Sequence, residues 1–145
     1  MNKNKQAGFT LIEIMVVIVI IGLLASIIVP NIISRTDDAK LAKVKQDVLA
    51  LENALEMYRL DNGFYPSTDQ GLQALVSEPQ GDPKPANWRK GGYIKILRVD
   101  PWGNAYQYLN PGTHKEIDIF SYGKTGKGRE DEKLMIGNWD VQEAK

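Results

Sequence analysis

Glu13 is the first residue whose type and position ask for chemistry. It is the single charge in residues 9–29, FTLIEIMVVIVIIGLLASIIV. A carboxylate in hydrocarbon is costly and by default suggests a function with a partner. A cut between Gly8 and Phe9 would create that partner. Phe9 would then carry a free amine four positions before Glu13, one helical turn away on the same face. Either the chain's own amine or that of a neighbouring copy could neutralise the acid. The competing reading is a carboxyl near a membrane surface that does nothing.

A second candidate is the segment 123–135, GKTGKGREDEKLM. Glycine-bearing loops with several carboxylates can hold calcium, which takes roughly six to eight oxygen ligands, backbone carbonyls included. The competing reading is a solvated acidic run, Glu130, Asp131 and Glu132, offset by Lys124, Lys127, Arg129 and Lys133. Other chemistry is poorly provided for. The absence of cysteine excludes a disulfide scaffold, a thiolate zinc site and a thiol nucleophile. The single histidine, His114, lies in a polar turn beside Gly112 and Lys115 and reads as solvated. Gly126-Lys127-Gly128 lacks the strand-to-helix context of a phosphate-binding loop. No nucleophile–base pair or paired-carboxylate site stands out, which argues against an enzyme.

These residues must be positioned by 145 residues, enough for one domain, or a small domain plus an appendage. With Lys+Arg at 18 and Asp+Glu at 18, the formal charge is zero. That argues against a nucleic-acid binder working through a basic field.

As a helix, residues 9–29 would extend about 32 Å, against a bilayer core of about 30 Å. Lys3 and Lys5 supply the basic start of a signal peptide. The run is nevertheless long for one, and a cut near Leu24-Ala25-Ser26 would fall inside it. A retained transmembrane helix is therefore expected, although flanking charges do not favour a cytoplasmic N-terminus. Pro30 ends the run and predicts a kink.

From 30 to 62 an amphipathic continuation is expected. Leu41, Val44, Val48, Leu51, Leu55 and Tyr58 form one apolar stripe, suited to packing on the chain's own sheet. Thr36, before Asp37 and Asp38, is a candidate N-cap at which the helix could restart. Asn62-Gly63 closes it. Ser67-Thr68-Asp69-Gln70 has the form of a capping box and leads into a short helix. Pro79, Gly81, Pro83 and Pro85 mark a loop. Segments 93–99, 105–109 and 117–122 read as strands, and Asp100 to Asn104 as a turn. Trp88, Trp102 and Trp139 read as core or turn anchors. The sum is an α+β unit in which the helix stripe completes a core too small to stand alone.

Gly8-Phe9-Thr10-Leu11-Ile12-Glu13, behind a short basic leader and before an apolar helix, resembles the class III leader of type IV pilins and pseudopilins. Further along, Tyr65-Pro66-Ser67-Thr68-Asp69-Gln70-Gly71-Leu72, Asp100-Pro101-Trp102-Gly103-Asn104, Tyr106-Gln107-Tyr108, Asp118-Ile119-Phe120-Ser121 and Ile136-Gly137-Asn138-Trp139-Asp140 resemble the major (G-type) pseudopilin family of type II secretion.

The resemblance implies a pilin-like α+β fold. A long N-terminal helix, transmembrane in its first half, would pack on a small three-stranded antiparallel sheet with a C-terminal loop. It implies a leader at 1–8, a transmembrane helix at 9–29, its amphipathic continuation at 30–62 and a periplasmic domain at 63–145. A prepilin peptidase would cut after Gly8 on the cytoplasmic side of the inner membrane, and Phe9 would be N-methylated. Loss of Lys3 and Lys5 leaves 16 basic against 18 acidic residues, a formal charge of −2. Glu13 would pair with an amine during homopolymer assembly, alongside minor pseudopilins, an inner-membrane platform and its ATPase. The filament would drive or scaffold export of folded proteins through an outer-membrane secretin.

In the family, the C-terminal loop binds calcium, with Ser-Leu-Gly-Ala-Asp-Gly and then Ala-Asp-Ile before the final Trp. The matching positions are Tyr122, Lys124, Thr125, Leu134 and Met135, so both family Asp positions are replaced, by Thr125 and Met135, in a loop one residue shorter. A substitute ligand set would be Tyr122, Thr125, Glu130, Asp131 and Glu132. Two rivals remain in view. A surface type IV pilin for adhesion, motility or DNA uptake shares the leader but usually carries a cysteine-bridged loop. A membrane-anchored periplasmic enzyme would need a reactive constellation.

Overall fold

The computed structural model describes residues 8–126 and 134–141, without the side chains of 27–35. Contacts divide the chain into two compact units, Met1–Ala39 and Lys40–Lys145. One helix, α1 (Leu11–Asn62), contributes to both.

In the first unit, α1 carries a long series of exposed apolar side chains, from Leu11 at 77% to Leu24 at 55%, interrupted only by Glu13 and Gly22, with Phe9 just before it at 86%. Such a surface has to be covered by something other than water. Among the described residues no helix is long and apolar enough to cross a membrane. The side chains of the apolar run are described only as far as Ser26, short of its end at Val29. The backbone stays helical through Pro30 and Thr36, so the helix does not restart at Thr36. Proline removes one hydrogen bond, whereas the bonds on either side keep the cooperative helix intact.

In the second unit the expected stripe forms the spine of the core. Val44, Val48, Leu55 and Tyr58 are fully buried, and Leu51 nearly so. Ala54 joins them, whereas Leu41 is 39% exposed because it lies one turn before the first position that the rest of the unit covers. Against the stripe pack Tyr65, Leu72, Leu75, Tyr106, Tyr108, Ile117 and Ile119. At the helix end, Gly63 has φ +84° and its N–H donates to the Arg59 carbonyl at 2.7 Å, a left-handed close that glycine permits.

The sheet has three antiparallel strands in the order β1 (Gln107–Leu109), β2 (Asp118–Ser121) and β3 (Ile136–Gly137). Tyr108 faces Ile119, and Phe120 faces Gly137. The strand number matches the expectation, but one segment does not. Residues 93–99 stay outside the sheet, and only Val99 bridges, to Ala105. The N–H groups of Tyr93 and Ile94 both donate to the Leu75 carbonyl, at 2.7 and 3.2 Å. Ile96 and Val99 remain 66% and 57% exposed, so the alternation has no sheet on which to bury. The third strand comes from β3, whose two residues are too short to show a pattern.

The capping box forms as expected. Ser67 N–H donates to Gln70 Oε1 at 3.0 Å, and Gln70 N–H donates to Ser67 Oγ at 3.2 Å. The helix it leads into is a single 3₁₀ turn, Leu72–Leu75. Side chains tie α1 to the rest of the unit: Tyr65 OH donates to Glu56, and Tyr106 OH to Asp47 Oδ2 at 2.9 Å.

Candidate functional site

At the start of α1, Thr10 and Glu13 form a second capping box. Glu13 Oε2 accepts the Thr10 N–H at 2.7 Å and the Thr10 hydroxyl at 2.8 Å. Thr10 Oγ1 in turn accepts the Glu13 N–H at 3.3 Å. The carboxylate is therefore held over the first turn, where the helix dipole favours negative charge. Reading Glu13 only as an acid in search of a partner missed this. The signal was available, because Thr10-x-x-Glu13 has the same form as Ser67-x-x-Gln70. In the uncut chain Phe9 contributes a peptide nitrogen. A cut after Gly8 would place an ammonium one residue before the threonine that already holds the acid.

The C-terminal candidate begins at the second 3₁₀ turn, Gly123–Thr125. Its base is anchored by a buried acid. Asp100 Oδ1 accepts the N–H groups of Trp102 and Asn104, at 3.0 and 2.8 Å. Asp100 Oδ2 accepts the Ser121 hydroxyl at 2.6 Å, and Ser121 Oγ accepts the Gly123 N–H at 2.9 Å. Thr125 Oγ1 donates to the Tyr122 carbonyl at 3.0 Å, so two of the five candidate calcium ligands are neighbours. Glu130, Asp131 and Glu132 lie outside the described residues. Met135 is half-buried where the family acid would stand, and a thioether is no calcium ligand. Among the described residues no three His, Cys, Asp or Glu side chains gather as a metal group.

His114 is not simply solvated. Its ring stacks on Trp139, with centroids 3.9 Å apart and planes at 17°, and Nδ1 lies 3.2 Å from Asp118 Oδ2. A Cβ on Gly137 would run into the Trp139 ring, so the indole is held on both sides as an anchor. Trp88 anchors likewise, donating Nε1 to the Ala74 carbonyl at 2.9 Å. Trp102 belongs to the Asp100 turn.

Asp118 has a structural part that the sequence reading did not single out. Its side chain is 1% exposed. Burial alone would push its carboxyl up. Bonds from the Lys115 N–H, the Thr113 hydroxyl and the N–H groups of His114 and Thr113 outweigh this and hold it at about 2. A Cβ on Gly112 would come within 2.7 Å of Asp118 Oδ1, so the turn wraps the carboxylate only with glycine there. No reactive constellation results, because the carboxylate is occupied by the donors of its own turn.

An exposed apolar helix opened by a capped acid, joined to a helix-backed three-stranded sheet, defines a pilin-like subunit. The family model for type II secretion system (T2SS) protein G matches residues 31–139, and that for the prokaryotic N-terminal methylation motif matches residues 3–29. The type II secretion system core protein G of Pseudomonas aeruginosa is 57% identical over 141 residues, covering 97% of this chain and 99% of that protein. Its namesake in Vibrio cholerae is 55% identical, covering 98% and 97%. The crystal structure of the major pseudopilin from the type 2 secretion system of enterohaemorrhagic Escherichia coli is 50% identical and matches with a TM-score of 0.71, over 77% of this chain and 92% of that one. The chain belongs to the type II secretion system protein G family. It is accordingly a structural pseudopilin and not an enzyme.

Proposed function

We propose that the chain is the repeating subunit of a periplasmic pseudopilus, the filament with which a type II secretion system drives or scaffolds export of folded proteins across the outer membrane. The observation that carries this reading is the union, in one chain, of a capped acid opening an exposed apolar helix with an α+β unit of the protein G family.

In this reading a prepilin peptidase cuts between Gly8 and Phe9, and Phe9 is N-methylated. Residues 9–29 cross the inner membrane once, Pro30 bends the helix, and residues 63–145 stand in the periplasm. The exposed apolar surface supports this, since lipid would cover it before assembly and sibling helices afterwards. Glu13, preset by Thr10, pairs with the freed amine of its own or a neighbouring chain. The partners are further copies, minor pseudopilins and an inner-membrane platform. Assembly energy comes from that platform's ATPase, because the sequence has no nucleotide-binding motif. The C-terminal loop takes calcium through the Tyr122 carbonyl, Thr125, Glu130, Asp131 and Glu132, and the ion's part would be to order the loop.

Deletion and complementation test the reading. Loss of exoprotein secretion with intact motility is expected. Retained secretion would favour a surface pilin. Intact mass of the native protein should show eight residues missing and one methyl group added.

A further inference from the structure

We propose that Met135 is an oxidation-sensitive clasp at the neck of the C-terminal loop, and that its conversion to the sulfoxide loosens β3. This rests on the geometry of β2 and β3, and on neither the polymer nor the calcium reading. The two strands pair Phe120 with Gly137 and Ser121 with Ile136. One further step in that register sets Met135 opposite Tyr122, and a second sets Leu134 opposite Gly123. The backbones are indeed close there, since a Cβ on Gly123 would come within 2.9 Å of the Leu134 carbonyl. Directly opposed residues of an antiparallel pair share one face of the sheet. Gly123 has no side chain, so Met135 and Tyr122 are the outermost facing side chains of the neck.

The thioether lies among aromatic rings. Phe120, two residues before Tyr122 and on the same face, meets the Tyr122 ring edge-on with centroids 5.4 Å apart, and the Trp139 ring at 5.8 Å. Met135 and these three rings line one cavity of about 410 Å³. A polarizable sulfur packs favourably against aromatic rings. The sulfoxide is instead polar, and leaving it among rings costs free energy that solvating it recovers. The strand next to it has little to resist with, because β3 offers only Ile136 and Gly137 to β2.

The same cavity admits an oxidant. Met135 is half-buried and not sealed. Hydrogen peroxide is little larger than water, for which about 10–15 Å³ suffices. The sulfur lone pair attacks one peroxide oxygen and the O–O bond breaks. The departing hydroxide takes the proton of the transferred oxygen and leaves as water, while sulfur is oxidised by two electrons. The other methionines are Met1, Met15 and Met57. Met57 is 44% exposed on α1, so its sulfoxide stays in water and leaves the fold unchanged.

The full-length chain in detergent, treated with dilute hydrogen peroxide, tests the clasp. Wild type is compared with Met57→Leu and with a double variant carrying Met57→Leu and Met135→Leu. Leucine keeps the volume and offers no sulfur. Peptide mass should place an added oxygen on Met135 in the first two proteins. Their melting temperature should fall by about 4 °C, in step with the fraction of Met135 oxidised. Amide exchange at Ile136 and Gly137 should quicken, and a methionine sulfoxide reductase should reverse both effects. The double variant should show neither.

A Met135 that stays unoxidised in the folded chain overturns the proposal. So does one that gains oxygen while melting and exchange stay unchanged. An equal loss in the double variant would place the damage elsewhere and has the same consequence. Should the double variant fail to fold, the time course in Met57→Leu decides: a fall that follows oxidation of Met15 instead of Met135 overturns the assignment.

Discussion

Asn138, in the turn after β3, donates from Nδ2 to Oε1 of Glu52 on α1 at 3.1 Å, across 86 positions of sequence. The same amide donates to the Ile117 carbonyl at 3.0 Å, and its Oδ1 accepts the Ile119 N–H at 3.3 Å. Its own backbone N–H donates to the Ile119 carbonyl at 3.0 Å. A fully buried side chain thus meets its hydrogen-bonding needs by joining the C-terminal segment to both β2 and α1. Asn138→Ala should destabilise the protein by about 3 kcal/mol, because it strands a buried N–H and a buried carbonyl. Asn138→Asp should cost more, by setting a second carboxylate against Glu52. Urea titration of the detergent-solubilised chain, followed by circular dichroism, measures both. A change below about 0.5 kcal/mol for Asn138→Ala would remove this amide from the account.

Asp118 gives the protein an acid-sensitive component. Its carboxyl is held at about 2, against an ordinary value of 3.8. The folded state therefore favours the ionised form, and the resulting stability, about 2 kcal/mol, is fully present above about pH 4. It drains away as pH falls through the folded value near 2. The wild-type melting temperature should fall across that window. Asp118→Asn should start lower and show a shallower acid limb. Parallel limbs in the two proteins would refute the assignment.

The N-terminal site makes separable predictions for processing and assembly. Gly8→Leu should leave uncut precursor in the membrane, and a product of normal processed mass would contradict that. Glu13→Leu should insert and be cut as usual, since the apolar run is intact, yet yield few filaments because the freed amine lacks its counter-charge. Wild-type filament yield from Glu13→Leu would show that the charge pair is dispensable.

Calcium is decided by direct titration. Binding should give heat in isothermal calorimetry, and EGTA should lower the melting temperature. Alanine at Glu130, Asp131 and Glu132 together should abolish both effects. Absence of heat and of a melting shift in the wild type would eliminate the ion.

Much of the fold was legible because it is encoded locally. Val44, Val48, Leu51, Leu55 and Tyr58 show their common face through helical spacing alone. Gly63 and the Ser67–Gln70 box act within four residues of themselves, so no distant partner was needed to predict them. The Thr10–Glu13 box is equally local, since its hydrogen bonds span three residues and its T-x-x-E form is visible in the sequence. Residues 93–99 misled for the opposite reason. Their alternation is genuine, but strand pairing needs a neighbour, and the Leu75 carbonyl takes their first two donors.

By itself the sequence determined where α1 carries its apolar faces, where it stops, and that an acid sits at its start beside a candidate cut. These depend on interactions a few residues long, and helical geometry makes them visible as periodicity and caps. Only the tertiary structure decided how far that packing reaches around the helix, and hence that the apolar Leu49, Met57 and Leu60 are left to solvent. It alone brought Asn138 to Glu52, put two residues of β3 in the place of 93–99, and turned the solitary histidine onto Trp139. Those pairings join positions far apart in the chain. Their energy depends on burial and on mutual satisfaction of donors and acceptors, which no local pattern records.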